Sequence, residues 1–386
     1  MSKPNPFRIG ERVKGDSFAN RDEEVAAIRL GILNGSKLLV HGPRRMGKSS
    51  TIWRGAEVAK SATGAGKPIV VGADVATATT LFDVAGRLLR SLYQETRSLR
   101  LRLDDLIGQI GPRVTVKLDE RGGPPTFTFG IERRTASDEE RRQAFEAVLE
   151  RLSTIGERTR RPVSVVLDEF HAIANFGGET AEWHLRDCMQ RYGALGFVCA
   201  GSQEALVRDL VGPKRAFYKM FELLALGPID PGYFAQWIEV RLKRAGKVDA
   251  GVGAAVVELA GPRTQDVIQL ARQLYFRGVA AGRVRFQDVE ECLDEVVASE
   301  AALTRRLWSD LAPVQQDVLR VVALGVERLY SAEVRDQYGL GAPSSVHRAV
   351  EALTKRGLLV VEDGGPRFDS PFVRHWVERE VAGDVG

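Results

Sequence analysis

The chain has 386 residues, 44% of them hydrophobic and 27% charged, with a formal net charge of +4. That composition excludes a disordered or fibrous chain and predicts a soluble globular protein of two or three domains, while the small charge does not demand a polyanionic partner. The three cysteines (Cys188, Cys199, Cys292) and five histidines show no metal spacing, no run approaches a membrane span, and the opening residues hold no signal peptide. The expectation is a cytoplasmic protein without structural metal or membrane contact.

In chain order, residues 1–36 read as an entry arm containing Pro4 and Pro6, then a helix starting near Asn20. A core domain is expected over 37–228, beginning strand 37–41, helix 48–60, strand 68–72, helix 78–99. Short apolar strands alternating with helices predict a mostly parallel sheet with helices on both faces, hence an α/β fold. Residues 112–131 break the alternation with two short β-patterned runs around Gly122-Gly123-Pro124-Pro125, predicting an inserted β-hairpin. Helix 137–155, strand 163–167, helix 180–191, strand 196–200 and strand 222–226 complete the core. After Pro228 the pattern is helical only, near 231–245, 250–259, 264–279 and 286–300, which predicts a helical lid over 229–302. From 303 to 386 the order helix, helix, helix, strand, turn, strand, helix is that of a winged helix.

The strongest signal lies at the first strand. Leu38 to Val40 run into Gly42-Pro43-Arg44-Arg45-Met46-Gly47-Lys48-Ser49, a G-x-x-x-x-G-K-S loop (Walker A) between strand and helix. Gly42 and Gly47 let the backbone curl so that successive N–H groups converge on a β-phosphate. The helix beginning at Lys48 adds the positive end of its dipole. Lys48 reaches the β- and γ-phosphates, and the Ser49 hydroxyl is a Mg²⁺ ligand. Pro43, Arg44, Arg45, Met46 and Ser50 complete the cradle. Arg44 and Arg45 either point outward into solvent or pair with acids of another domain or subunit. With both flanks correct, a glycine-rich turn that merely happens to match is the weaker reading.

Val163-Ser164-Val165-Val166-Leu167-Asp168-Glu169 forms a buried strand ending in two acids (Walker B). Ligands of open α/β sheets bind at that edge. Asp168 is placed to hold Mg²⁺ opposite Ser49, and Glu169 to accept a proton from an attacking water. Two solvated acids capping a strand are the bland alternative. The strand ending at Ala200 leads into Gly201-Ser202-Gln203, where Ser202 first and Gln203 second are candidates to meet the γ-phosphate or lytic water; Ser202 is equally a helix N-cap.

Taken together, the loop, VVLDEF, the glycine-serine strand end and the C-terminal winged helix resemble the archaeal-type ATPases with a GxRRxGK[ST] loop. These are signal-transduction (STAND) NTPases related to AAA+ proteins, of the glutamate-containing (ASCE) P-loop class, and they are similar also to replication-initiator ATPases. The resemblance spans nearly the whole chain and is most specific at the loop. It implies ATP as nucleotide, with Phe18, Arg21, Asp22 and Glu23 forming an arm element near adenine. It also implies that the Asp168 strand neighbours the loop strand. Two departures stand out. Where the family often has P-L-Y-G-R, this chain has Ala216-Phe217-Tyr218-Lys219-Met220, leaving Arg215 or Lys219 as substitute fingers. The lid turn reads Ala260-Gly261-Pro262-Arg263, with Pro262 touching nucleotide and Arg263 either reaching a phosphate or solvated on the surface.

A winged helix invites a DNA reading. Its recognition-helix candidate is SSVHRAVEALTKRG, with Val346, Ala349, Val350 and Leu353 spaced for burial and Ser345, His347, Arg348 and Lys355 left outside. Between Leu303 and Gly386, however, eleven Lys/Arg face twelve Asp/Glu, a net charge of −1. DNA-binding modules carry a basic footprint, and the Glu362-Asp363 wing tip would repel phosphates. The expected function is therefore a Mg²⁺-dependent ATPase acting as a nucleotide-driven switch, with a protein partner or second copy. The alternatives are an initiator-like or mobile-element ATPase using its winged helix on DNA, and an adaptor that holds ATP without turnover.

Overall fold

The computed structural model describes residues 4–61, 66–96, 114–117, 126–129, 137–176, 178–201, 210–326, 328–362 and 364–380. The chain forms two compact units: Asn20–Gly227, and Met1–Ala19 together with Pro228–Gly386.

The first unit is built on strands β1 (Lys37–His41), β2 (Ile69–Asp74), β5 (Val163–Asp168), β6 (Leu195–Gly201) and β7 (Glu222–Ala225), all parallel in the order β2-β5-β6-β1-β7. Its helices are α1 (Asp22–Asn34), α2 (Lys48–Ser61), α3 (Leu81–Thr96), α4 (Asp138–Thr159) and α5 (Glu179–Arg191). Strands β1, β2, β5 and β6 are buried on both faces while the edge strand β7 is largely exposed, and the period of two along each buried strand divides its side chains between two cores. Leu39, Val71, Val165 and Phe197 join the core under α3, α4 and α5. Leu38, Val40, Val70, Val166 and Val198 join Ile28 and Ile32 of α1 and Ile52 and Ala56 of α2 on the other face. Helix α3 starts three residues later than its periodicity suggests. Thr80 and Asp83 cap it, the Asp83 carboxylate accepting from Thr80 N at 3.2 Å and Thr80 Oγ1 from Asp83 N at 3.4 Å. The inserted hairpin is present as β3 (Val114–Lys117) antiparallel to β4 (Thr126–Phe129), Val114 opposite Phe129 and Lys117 opposite Thr126.

The strand order corrects one expectation. The Asp168 strand does not neighbour the loop strand: β6 lies between them, pairing Leu167 with Cys199 on one side and His41 with Gly201 on the other. At about 4.8 Å per strand, β5 stands roughly 10 Å from β1. Strand periodicity reports burial and not neighbours, because a parallel strand can enter a sheet at any position its crossover helix reaches.

The second unit contains α6 (Pro231–Leu242), α7 (Val252–Ala260), α8 (Thr264–Ala281) and α9 (Asp288–Ser309). The helices-only expectation missed a two-residue parallel ribbon, β8 (Lys247–Val248) with β9 (Arg283–Val284), which is too short to show a period. The arm belongs to this bundle. Phe7 is fully buried and meets Trp237 edge-on at 5.8 Å and Tyr275 at 6.2 Å, and Trp237 Nε1 donates to the Phe18 carbonyl at 3.3 Å. The same unit continues through α10 (Pro313–Ala323), α11 (Ala332–Tyr338), α12 (Pro343–Lys355), the antiparallel hairpin β10 (Leu359–Glu362) and β11 (Gly365–Phe368), and α13 (Pro371–Glu380). Val346, Ala349, Val350 and Leu353 of α12 are buried as their spacing requires, while His347, Arg348 and Lys355 are exposed. Phe372, Trp376 and Val377 of α13 pack into the core of this helical bundle with Trp237 and Leu274. No helix among the described residues is long and apolar enough to cross a membrane.

Candidate nucleotide site

The loop between β1 and α2 is held in a conformation that glycine makes accessible. Gly42 has φ +150°, and a Cβ there would come within 2.4 Å of the Leu226 carbonyl oxygen behind it. Leu226 N donates to His41 O at 2.7 Å, so the backbones touch where the chain leaves the sheet. Gly47 has φ +87° with open space around its missing Cβ. The first demands glycine for lack of room and the second for its dihedral; the space at Gly47 is what backbone N–H groups need to approach an anion. Arg45 also sits at positive φ, +67°.

Lys48 opens α2 with only 7% of its surface exposed, and its Nζ donates to the carbonyls of Gly42 (2.9 Å) and Pro43 (2.7 Å). The ammonium thus lies folded across the loop it is expected to serve. Met46 is 2% exposed and its side chain is part of the α1–α2 core, so its contribution to a cradle is backbone. Arg44 and Arg45 are exposed, and Ser49 and Ser50 are half-buried in the first turn of α2. Arg21 is 5% exposed. Its Nη2 donates to Met46 O at 3.1 Å and its Nη1 to Glu24 at 3.2 Å, so it braces the loop from behind. Burial is the main cause that lowers its pKa, opposed by Glu24.

Asp168 ends β5 at the same sheet edge. Its carbonyl accepts from Val75 N at 2.8 Å and its Oδ1 from Glu169 N at 3.1 Å. Glu169 turns the chain at φ +52°, and its Oε2 lies 3.3 Å from His171 Nδ1. Burial holds the His171 pKa below its ordinary value; Glu169 opposes this, and the positive charges of Arg44 and Lys48 add to it. The charged form of His171 is thus disfavoured where its ring lies beside the acid. Sequence reading passed over His171, although a histidine two residues beyond the strand-end acid was there to be seen.

The candidate fingers fare differently. Arg215 makes a two-oxygen contact with Glu182 at 2.8 and 2.9 Å, with Glu182 1% exposed. Burial raises the Glu182 pKa and Arg215 works against that rise. Lys219 lies 5.4 Å over the Tyr218 ring, and Met220 packs against the large core, which explains methionine rather than arginine there. Arg263 is not solvated: it is 6% exposed and its Nη1 pairs with Asp369 at 2.9 Å, the Nη2 contact to the same carboxylate being closer still. Both arginines are therefore bound to buried or half-buried acids, which corrects the solvated reading of Arg263.

The structure thus gathers Arg21, Gly42 to Ser50, Asp168, Glu169 and His171 in one unit, with the loop and the two acids leaving the sheet at strand ends. Phe18 and Pro262 belong to the other unit, Phe18 half-buried and Pro262 exposed. Ser202 and Gln203 lie outside the described residues. A curled glycine loop at a helix N-terminus, a buried lysine donor and a carboxylate at the end of β5, one strand removed from β1, form a donor set that fits a triphosphate with Mg²⁺.

No curated protein matches the chain. Residues 304–379 match the family described as a probable winged helix domain. Among solved structures, the chain is similar to the Walker-type ATPase PABY2304 of Pyrococcus abyssi, at 17% identity over 97% of this chain and 99% of that one, TM-score 0.63. It is also similar to the Aeropyrum pernix ORC2 protein in ADPNP–ADP complexes, at 14% identity over 98% of each chain, TM-score 0.60. A third is the Aeropyrum pernix ORC1 protein in complex with DNA, at 16% identity over 96% of each chain, TM-score 0.50. The chain thus has the fold of the archaeal Walker-type and ORC/Cdc6 ATPases, an AAA+-like P-loop sheet followed by a C-terminal winged helix.

Proposed function

We propose that this protein binds ATP with Mg²⁺, hydrolyses it, and uses the change of nucleotide as a molecular switch. The observation that carries the reading is the shared sheet edge: the Gly42–Ser49 loop and the Asp168-Glu169 pair follow two strands of one parallel sheet that are separated only by β6, with Lys48 buried against the loop. The loop N–H groups and Lys48 bind and orient the phosphates, Lys48 exchanging its two carbonyl partners for phosphate oxygens. Ser49 and Asp168 hold Mg²⁺, which when bound neutralises phosphate charge. Glu169 accepts the proton of the attacking water, with His171 Nδ1 3.3 Å from its Oε2. Arg21, Phe18 and Pro262 are assigned to the nucleotide's surroundings, Ser202 to the γ-phosphate, and the residue ranges 37–228, 229–302 and 303–386 to core, lid and winged helix.

Nucleotide binding and turnover test this reading separately. Lys48→Ala is expected to abolish tight ATP binding in equilibrium titration. Glu169→Gln is expected to retain binding while hydrolysis falls by about 10²-fold or more. Tight ATP binding by Lys48→Ala overturns the site, and wild-type turnover no faster than that of Glu169→Gln leaves an adaptor that only holds nucleotide.

The winged helix supports a second reading, because one structural relative is an ORC1 protein in complex with DNA. The module's net charge of −1 favours a protein partner or a second copy instead. Binding to duplex DNA that weakens steeply with salt would favour the initiator-like alternative; no gel shift at low salt would remove it.

A further inference from the structure

Away from the nucleotide site, α4 and α5 bring together three groups of metal-ligand type. Glu146 of α4 and His184 and Cys188 of α5 place one ligand atom each within 4.8 Å of one another. His184 and Cys188 are four residues apart on one helix, so both side chains leave the same face, and Glu146 meets them from the facing helix. We propose that these residues form a binding site for a thiophilic divalent transition ion of the zinc class, tying α4 to α5.

Three observations support the assignment. His184 Nε2 lies 3.5 Å from Cys188 Sγ. A tetrahedral ion with Zn–S of about 2.3 Å and Zn–N of about 2.05 Å requires an S···N separation of about 3.6 Å. The ligands also have outer partners of the kind that orient metal-binding side chains: the His184 ring bonds to the Arg142 backbone, one turn before Glu146, and Glu146 Oε1 is engaged by Arg191, which also holds Asp187 at 2.7 Å. Finally, the set is chemically mixed. One thiolate, one neutral imidazole and one carboxylate balance the charge of a divalent ion and leave a fourth position for water, and a soft sulfur ligand disfavours Mg²⁺ and Ca²⁺. Binding forms the metal–sulfur bond as the thiol proton leaves to solvent; no electron is transferred. The expectation of no structural metal came from searching for Cys–Cys and His–His spacings, and a His-x-x-x-Cys pair completed by a distant glutamate shows neither.

Cobalt(II) is the probe, because thiolate-bound cobalt gives an intense sulfur-to-metal charge-transfer band that a phosphate-loop site, lacking cysteine, cannot produce. The 386-residue chain, stripped of metal and free of nucleotide, is expected to develop the band, saturating at one equivalent and displaced by zinc(II). Cys188→Ser and His184→Gln should lose it, and Cys292→Ser should keep it. Glu146→Gln, a partly exposed position compatible with folding, should weaken cobalt affinity by at least ~10-fold with the metal-free unfolding temperature unchanged. Absence of the band in the wild type overturns the proposal and leaves a thiol–imidazole hydrogen bond. Persistence of the band in Cys188→Ser, or unchanged affinity in Glu146→Gln, overturns it equally.

Discussion

Arg21 offers a test of how the loop is held. Its side chain is 4% exposed, donates to Met46 O at 3.1 Å, and pairs with a Glu24 that is 23% exposed. Its backbone sits at φ +99° and ψ 36°, with Asn20 Oδ1 accepting from its N–H at 2.7 Å. Removing a charged donor from a buried carbonyl costs about 1.5–3 kcal/mol. The Glu24 pair adds about 0.2–0.5 kcal/mol, as for an i,i+3 pair on a helix surface. Arg21→Ala should therefore destabilise the loop and α1–α2 by about 2–3.5 kcal/mol. Arg21→Gly loses the same side chain but relieves a positive-φ backbone worth about 1–3 kcal/mol. Glycine also suits the helix N-cap, so Arg21→Gly should be more stable than Arg21→Ala by about 1 kcal/mol. Hydrogen–deuterium exchange of peptides spanning β1, the loop and α2 measures the opening free energy directly. ATP affinity should fall in the same order, by up to about tenfold for each 1.4 kcal/mol. An Arg21→Ala opening energy within about 0.5 kcal/mol of wild type, below the range expected for a charged hydrogen bond, would refute the brace. An Arg21→Gly variant no better than Arg21→Ala would refute the backbone part of the reasoning.

Three further outcomes are expected. Gly42→Ala should be more destabilising in thermal unfolding than Gly47→Ala, because its Cβ meets the Leu226 carbonyl at 2.4 Å while that of Gly47 meets open space; equal effects would mean that dihedral strain alone matters. Removing either partner of the Arg263–Asp369 pair should cost about 2–4 kcal/mol in unfolding, below the 3–5 kcal/mol of leaving one charge of a fully buried pair uncompensated because Asp369 is 19% exposed; a loss near zero would make the contact incidental. The pKa of His171 is depressed in the folded state relative to 6.5, so the unfolded chain takes up protons first as pH falls. Its contribution to stability is thus full above pH 6.5 and is lost as pH falls through the lower folded value. His171→Gln should flatten the fall in unfolding temperature across that window, and an unchanged slope would place the titration elsewhere.

Much of the candidate site was legible because its proposed chemistry is local. Gly42, Gly47, Lys48 and Ser49 lie on the curl of one backbone segment, so their spacing is the candidate site's geometry. Asp168 and Glu169 were singled out because a buried strand announces its own end. His171 was passed over because its place beside Glu169 is a relation that no spacing expresses. Arg215 and Arg263 were judged from their immediate neighbours in the chain, whereas their partners, Glu182 and Asp369, stand 33 and 106 residues away.

The sequence by itself determined the alternation of helices and strands, the phosphate-loop pattern, the inserted hairpin and the winged-helix order. Each rests on periodicity or turn chemistry within a few residues. Tertiary structure alone decided that β6 separates β5 from β1, that the arm joins the core of the second unit's helical bundle through Phe7, which acids occupy the candidate fingers, and that Glu146 meets His184 and Cys188. Those choices depend on which buried faces meet. Burial of apolar surface is non-directional, so a sequence can specify that a face must be covered without stating what covers it.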